Sequence, residues 1–563
     1  MAAVFLLLLL LAARSLPPRH KAATGAAPGT WRGVFHVHTV ASDGGGTRDD
    51  VARAAADAGL QFVILTDHGD GTRAPAPPEY LHGVLVIDGV EIATRDGHYA
   101  AFGLDRSPYP LGGPAEGVIE DVTRLGGFGV AAHPRSPRRS LQWNNDSAPV
   151  DGYEVLNGDS AWRDEGAVAL ARAIGAYVVR PAEALASLVE RPGAELQWLD
   201  TANRGRRVVG LAASDAHGRL PLSYDDDGTD GGGGWSLPIP SYAQSFRAVV
   251  NLVAAGRAPS GDAAVDAAGL EDAIRAGRVT LAVAALAAPA SLDFTARTDA
   301  GMAAGMGGRL LPAPVVFDAR TADVLDGDGA SLVRLRLVRD GDVVAEANGP
   351  GLSHRVEEAE AAGVWRIEAT LAHRPDVPWL IGNPIVIVGR DWAWAARPRP
   401  GFVEWALELT GGDWSVETRD SVTSGLHPAR TSSVAPAGEE VVFDYALAGG
   451  EPSAYAAAVR EVESGASWTH VVLRARAPEP TRLWVQVRGS EDRQRWGRSI
   501  YLDRHSREVT LSLGDFRAFE AGVAEHPGAS QIRSVLLVID TVNSAPGRTG
   551  QVTVERLALE RRQ

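Results

Sequence analysis

From Trp31 onward, short apolar runs alternate with stretches of helical spacing. The runs predict strands at 35–37, 62–65, 84–87, 99–104, 129–132, 153–156 and 208–212. Between them, 49–58 (DDVARAAADA) and 117–125 (GVIEDVTRL) place apolar residues at helical intervals. Strand–helix alternation predicts parallel strands, and seven of them in one region predict a closed barrel. Further helices are expected at 244–255 and 270–276. From about residue 290 the period changes to alternating strands with turn signals, as at 332–338 and 365–371. The Pro/Arg joint RPRP at 397–400 leads into a second β region, with strands expected at 483–487 and 535–539. The predicted organisation is therefore a segment and linker at 1–30, a barrel at 31–290, a small β-sandwich at 291–396 and a second sandwich at 401–563.

The run AAVFLLLLLLAA at 2–13 is short for a membrane span and suits the apolar core of a signal peptide. Its basic flank, Arg14, Arg19 and Lys21, follows the run where a signal peptide carries it in front. The expectation is an exported or membrane-tethered protein, with the cytoplasm as the alternative. The loop DDDGTDGGGGW at 225–235 reads as solvated chain.

Composition narrows the chemistry. The chain has 563 residues, 45% of them hydrophobic and 22% charged, which is the balance of a globular protein. A net charge of −15 argues against a stable nucleic-acid complex, which needs a basic surface to release counterions. With no cysteine, disulfides, thiolate nucleophiles and thiolate metal sites are excluded. Lys21 is the one lysine, so the barrel region has no Schiff-base lysine and no carboxylated-lysine metal bridge.

The histidines and carboxylates carry the signal. His36 and His38 are two apart on a strand and project to one face. Asp67 and His68 end FVILTDH, Glu91 follows VLVID, His133 ends GFGVAAH, and Asp215 and His217 end VVGLAASDAH. Strand ends of a parallel barrel open on one face, so these distant residues converge. Imidazole and carboxylate without sulfur suit zinc, manganese or iron. More than five such ligands exceed one tetrahedral zinc and predict two or three divalent metals. In a barrel without lysine a carboxylate must bridge them, and Glu91 is best placed.

HVHTVASDG, TDHG, GVEIATRDGH, AAHP and SDAHG together resemble the polymerase and histidinol phosphatase (PHP) superfamily over residues 31–290. The resemblance implies a distorted (β/α)7 barrel, here followed by two all-β sandwich domains, and a trinuclear metal site. It implies a first metal on His36, His38, Glu91 and Asp215, a second on Glu91, His98 and His133, and a third on Asp43, His68 and His217. Asp67 is expected to orient a neighbouring imidazole, and Glu154 to stand behind the ligands or at the core edge. Residues 291–390 resemble the small sandwich that follows this barrel in exported members. Residues 401–563 resemble jelly-roll, galactose-binding-like modules, which implies carbohydrate or cell-surface contact.

The resulting expectation is a phosphoesterase for a small phosphorylated molecule or nucleotide. Metals supply hydroxide at neutral pH, and no protein nucleophile is needed. Arg135 and Arg138, with Arg139 beside them in HPRSPRRS, follow His133 and are expected to clamp a phosphate oxygen. The alternatives are 5′→3′ exonuclease action on short oligonucleotides, or a non-enzymatic surface-binding protein with a vestigial barrel. An amidohydrolase with a carboxylated lysine is disfavoured by composition.

Overall fold

A computed structural model of the chain describes residues 6–7, 10–11 and 29–562, apart from 140, 164–166, 222–235, 289–290, 390–400, 420–432, 438–439, 450–452, 463–465, 491–493, 521 and 529–531. The loop at 225–235, the RPRP joint and most of the apolar run at 2–13 lie outside the described residues. Among the described residues no helix is long and apolar enough to cross a membrane. The chain divides into two compact units.

The first unit is built on seven strands: β1 (Thr30–Val37), β2 (Phe62–Leu65), β3 (Val84–Thr94), β4 (Gly97–Phe102), β5 (Phe128–Ala131), β6 (Gly152–Asn157) and β7 (Val209–Ala216). Each pairs with the next, and β7 pairs back onto β1 through Phe35–Ala213 and Val37–Ala216, closing a barrel. Phe35, Ile64, Ile87, Phe102, Val130 and Leu211 fill its interior. Each such side chain contributes roughly 1.5–3 kcal/mol on full burial. Asn251 and Asn383 secure the neighbouring face of β7. The Asn251 amide exchanges hydrogen bonds with the Ala212 backbone, and the Asn383 amide does so with Gly210. Both asparagines are buried and fully engaged, so β7 is held rigidly just before Asp215.

The (β/α)7 barrel is corrected by this topology. The barrel is mixed: β3–β4 and β4–β5 are antiparallel, and the other five pairings are parallel. β3 turns directly into β4 at Arg95–Asp96, and antiparallel neighbours need no crossover helix. Gly97 sits at φ 123°, a conformation that only glycine takes without strain. Between β2 and β3 the chain makes a loop and a short edge strand, Glu79–Leu81, with no helix. The helices among the described residues are short, the longest having 13 residues. One of them, Arg48–Asp57, opens with a reciprocal capping box between Thr47 and Asp50 and buries Val51, Ala52 and Ala55.

Beyond the barrel, the expected helix at 244–255 is instead the end of the short helix Tyr242–Ser245 followed by the strand Val250–Ala254, which adds antiparallel to β1. The sheet then runs on through Val279–Ala282, Leu380–Gly382 and Gly363–Leu371. The strands after residue 290 thus extend the barrel's sheet, and the compact unit that holds the barrel runs to Ala395. A separate four-stranded sheet holds Leu292–Thr298, Ala303–Gly305, Val315–Thr321 and Gly351–Val356.

The second unit, Ala396–Gln563 with Gly71–Arg73 and Arg106–Asp121, contains two six-stranded antiparallel sheets. Leu473, Val485, Leu537 and Leu557 belong to one buried cluster, with Trp468 and Trp496 packed into it. Trp484 is also buried, in a smaller cluster with Ala457 and Leu536. These three tryptophans are core packing. Trp405, 52% exposed and stacked on Trp468, is half-open. Arg482 is buried in this unit and donates to Asp121 at 2.7 Å, Glu120 at 2.8 Å, the Gly117 carbonyl at 2.9 Å and Ser499 at 2.9 Å.

Candidate metal centre

All nine residues expected as ligands converge at one end of the barrel. His36 is on β1 and His38 follows its last residue, with their rings 5.1 Å apart. His68 follows β2 through an isolated bridge to Glu91 on β3. His98 comes from the β3–β4 hairpin, His133 from the end of β5, and Asp215 and His217 from the end of β7. Asp43 arrives on the loop after β1.

Glu91 is the hub. Its Oε1 lies 2.9 Å from His98 Nδ1 and 3.0 Å from His133 Nε2. Its Oε2 lies 3.2 Å from His36 Nε2, 3.2 Å from His38 Nε2 and 3.3 Å from His68 Nδ1. Asp215 Oδ1 stands 3.5 Å from Nε2 of both His36 and His38. At the mouth, Asp43 faces His38 at 3.3 Å, His217 at 3.2 Å and His68 at 3.6 Å. Four triads place their ligand atoms within 4.8 Å of one another: His36/His38/Glu91, His36/His133/Asp215, His38/Asp43/His217 and His68/Glu91/His98. His98 stands with His68, and His217 with His38.

The tautomers test whether this set fits metal ions. His133 Nδ1 lies 2.9 Å from the Leu141 carbonyl, and His217 Nδ1 lies 3.0 Å from the Asp215 carbonyl. A carbonyl only accepts, so both Nδ1 atoms carry the proton. His36 Nδ1 is held likewise by the Glu154 carboxylate at 2.5 Å. In neutral rings the Nε2 lone pairs then point at the oxygens of Glu91, Asp215 and Asp43. Lone pair against lone pair near 3 Å is repulsive unless a cation or a proton lies between them. The set therefore fits divalent cations.

Without cations, protons take that place. Burial opposes protonation of His36, but Asp215, Glu154 and Glu91 outweigh it and hold its pKa well above the usual 6.5. His38 is raised in the same way, burial being overcome by Asp215, Asp43 and Glu91. Burial pushes Glu91 and Asp215 upward, yet the surrounding imidazoles hold both well below the carboxylate range.

Backbone strain concentrates here. His36, His133 and Asp215 sit at φ 65°, 29° and 49°. Left-handed backbone is costly for residues with a Cβ, and it persists where the surroundings over-determine it. Only His82 and Asp340 share the property among the other described non-glycine residues.

Several supporting groups escaped the sequence reading or were assigned differently. Glu154 does more than border the core: it accepts from His36 Nδ1, the His133 backbone N–H at 2.6 Å and Asn157 Nδ2 at 2.9 Å. Asp67 was expected against an imidazole; it binds the 39–42 loop instead. It accepts from the Thr39 N–H at 2.7 Å, the Thr39 hydroxyl at 2.8 Å and the Ser42 hydroxyl at 2.7 Å. Tyr242 donates to the His38 carbonyl at 2.8 Å and accepts from the Gly46 N–H at 3.2 Å. Burial pushes its phenol up to about 12. Arg219 Nε donates to the Asp43 carbonyl at 2.6 Å. No local motif marks Tyr242. The run SDAHGR does mark Arg219.

Of the two expected anion-binding residues, Arg135 lines a cleft of about 160 Å³ next to His133, Glu154 and Asn157. Its Nη2 meets Asp146 at 3.1 Å. Arg138 does not line that cleft.

No family model matches the chain. An uncharacterised protein of Methanocaldococcus jannaschii is 32% identical over 111 residues, which are 19% of this chain and 64% of that protein. The match thus spans just under two thirds of that relative's length. Among solved structures, a two-domain protein of Bacteroides vulgatus containing a predicted PHP-like metal-dependent phosphoesterase is 15% identical, with a TM-score of 0.28. It covers 66% of this chain and 98% of its own. A family 11 carbohydrate-binding module of a Clostridium thermocellum cellulase is 14% identical, with a TM-score of 0.22, over 28% of this chain and 92% of its own.

Proposed function

We propose that the chain is a metal-dependent phosphoesterase that hydrolyses phosphate esters of small molecules. The observation that carries this reading is the convergence of nine imidazole and carboxylate groups around Glu91, with Nε2 lone pairs aimed at carboxylate oxygens. Two or three divalent ions of zinc, manganese or iron type suit that donor set. Glu91 reaches five histidines through its two oxygens and is the bridge between them. His36, His38, Glu91, His133 and Asp215 are buried and form the floor, while Asp43, His68, His98 and His217 remain partly exposed at the mouth. When bound, such ions neutralise phosphoryl charge and make water nucleophilic at neutral pH.

The chain's own residues set the geometry. Glu154, the Leu141 carbonyl and the Asp215 carbonyl fix three imidazoles so that Nε2 faces inward. Tyr242 and Asp67 hold the strand end and loop that present His38 and Asp43. Arg135 stands in the cleft beside His133, where a guanidinium meets a phosphoryl oxygen or the departing group. In the reaction, water oxygen bonds to phosphorus, the ester P–O bond breaks, and the leaving oxygen takes a proton.

The test is a panel of phosphomonoesters and diesters assayed with metal-loaded full-length protein and with Glu91→Gln. Wild type should turn over at least one class, and the variant should lose most of that activity while staying folded. A metal-loaded, folded wild type inert toward the whole panel overturns the reading.

A further inference from the structure

The cleft beside His133 has walls whose chemistry goes beyond phosphate binding. Its volume is about 160 Å³. A cavity of roughly 150 Å³ takes a benzene-sized ring, so a six-membered ring fits. Pro134, Pro137 and Val189 give it an apolar side. Away from His133, Glu154 and Asn157, its polar lining includes Arg135, Ser160, Glu190, Arg191 and Glu195.

The charges of this wall are already compensated. Both terminal nitrogens of Arg191 are taken by Glu368 at 2.8 Å each, and the Glu368 side chain is wholly buried. Arg135 is paired with Asp146 at 3.1 Å. Glu190 and Glu195 add negative charge. Among the described residues, both arginines lining this wall are thus already paired with carboxylates. Hydroxyl groups would be served on both sides: carboxylates accept from them, and guanidinium and serine donate to them. Arg135 Nε is buried behind this wall with no hydrogen-bond partner among the described residues.

We infer that the cleft receives the alcohol part of the substrate, and that this alcohol is a neutral polyhydroxylated ring of about six members, a pyranose or a cyclitol. The inference rests on the phosphoesterase reading above. Arg191, locked by a strand that lies outside the barrel, is a fixed wall of this cleft and not a mobile clamp.

The test compares kcat/KM for inositol 1-phosphate, a hexose 1-phosphate, cyclohexyl phosphate, glycerol 1-phosphate and AMP, using metal-loaded full-length protein. Cyclohexyl phosphate keeps the ring and lacks the hydroxyls. The ring polyol phosphates should exceed cyclohexyl phosphate, glycerol phosphate and AMP by about tenfold or more. In Glu190→Gln/Glu195→Gln and in Ser160→Ala, the ratio of ring polyol to cyclohexyl phosphate should fall to within about threefold of unity. Metal content and thermal unfolding check that these variants stay folded and loaded. If some phosphoester is hydrolysed but the ratios are flat, AMP is preferred, or the variants leave the ratio unchanged, the cleft inference fails alone. If every ester is inert, the phosphoesterase reading fails and takes this inference with it.

Discussion

Arg482→Met removes a buried cation from a cluster of acidic groups in the second unit. The Arg482 and Asp121 side chains are each 1% exposed, and their atoms are 2.7 Å apart. The arginine also donates to Glu120, Ser499 and the Gly117 carbonyl. At an effective dielectric near 20, a 2.7 Å pair is worth about 6 kcal/mol before desolvation. The substitution leaves Asp121 buried without this partner, although the Tyr109 hydroxyl still donates to it at 2.8 Å. Breaking such a pair from one side costs roughly 3–5 kcal/mol. For a unit of this size that lowers the melting temperature by roughly 6–20 °C. Urea unfolding followed by tryptophan fluorescence reads the change, because Trp468, Trp484 and Trp496 lie buried in the same unit. Adding Asp121→Asn should recover a measurable part of the loss, since the stranded charge disappears. A loss below about 1 kcal/mol for Arg482→Met, with no coupling in the double variant, would refute the reasoning.

Three further outcomes follow from named contacts. Glu154→Gln should weaken metal binding by about 10–100-fold, because the amide orients His36 and the His133 backbone less well; titration with a competing chelator reads it. Asp200 is pushed up to about 6, burial outweighing Arg366, so the folded chain binds more protons than the unfolded one between about pH 4 and 6. Its contribution to stability therefore falls as pH rises through that window, by roughly 3 kcal/mol, and Asp200→Asn should remove this slope in urea unfolding at pH 4.5 and 7.5. Metal loading should release protons and tighten from pH 6 to pH 8, because His36 and His38 are held protonated without ions; calorimetry in buffers of different ionisation enthalpy measures the protons released.

Much of the site was legible because its residues sit at strand ends in short motifs. HVH, TDH, AAH and SDAH each announce both a strand and the side chain at its end, and all nine named groups converge. The supporting residues were not legible in the same way. Glu154 lies 118 positions from His36, and Tyr242 lies 204 from His38, so their roles exist only once the barrel closes. The fold was misread where the signal was local and stronger than it looked. Asp96–Gly97 in TRDGH marks a hairpin, and that hairpin makes β3 and β4 antiparallel neighbours with no helix between them. VNLVA at Val250–Ala254 is a strand that the helical reading of 244–255 absorbed. Arg482 and Asp121 are 361 positions apart, and no periodicity reports such a pair.

The central claim is that the groups around Glu91 form a multinuclear metal centre. Elemental analysis of metal-replete, chelator-washed protein tests it most directly, done in parallel on wild type and Glu91→Gln. Two or three transition-metal ions per wild-type chain, falling by at least one in the variant with the fold intact, is the predicted result. At most one ion per wild-type chain, or equal occupancy in both proteins, would contradict it.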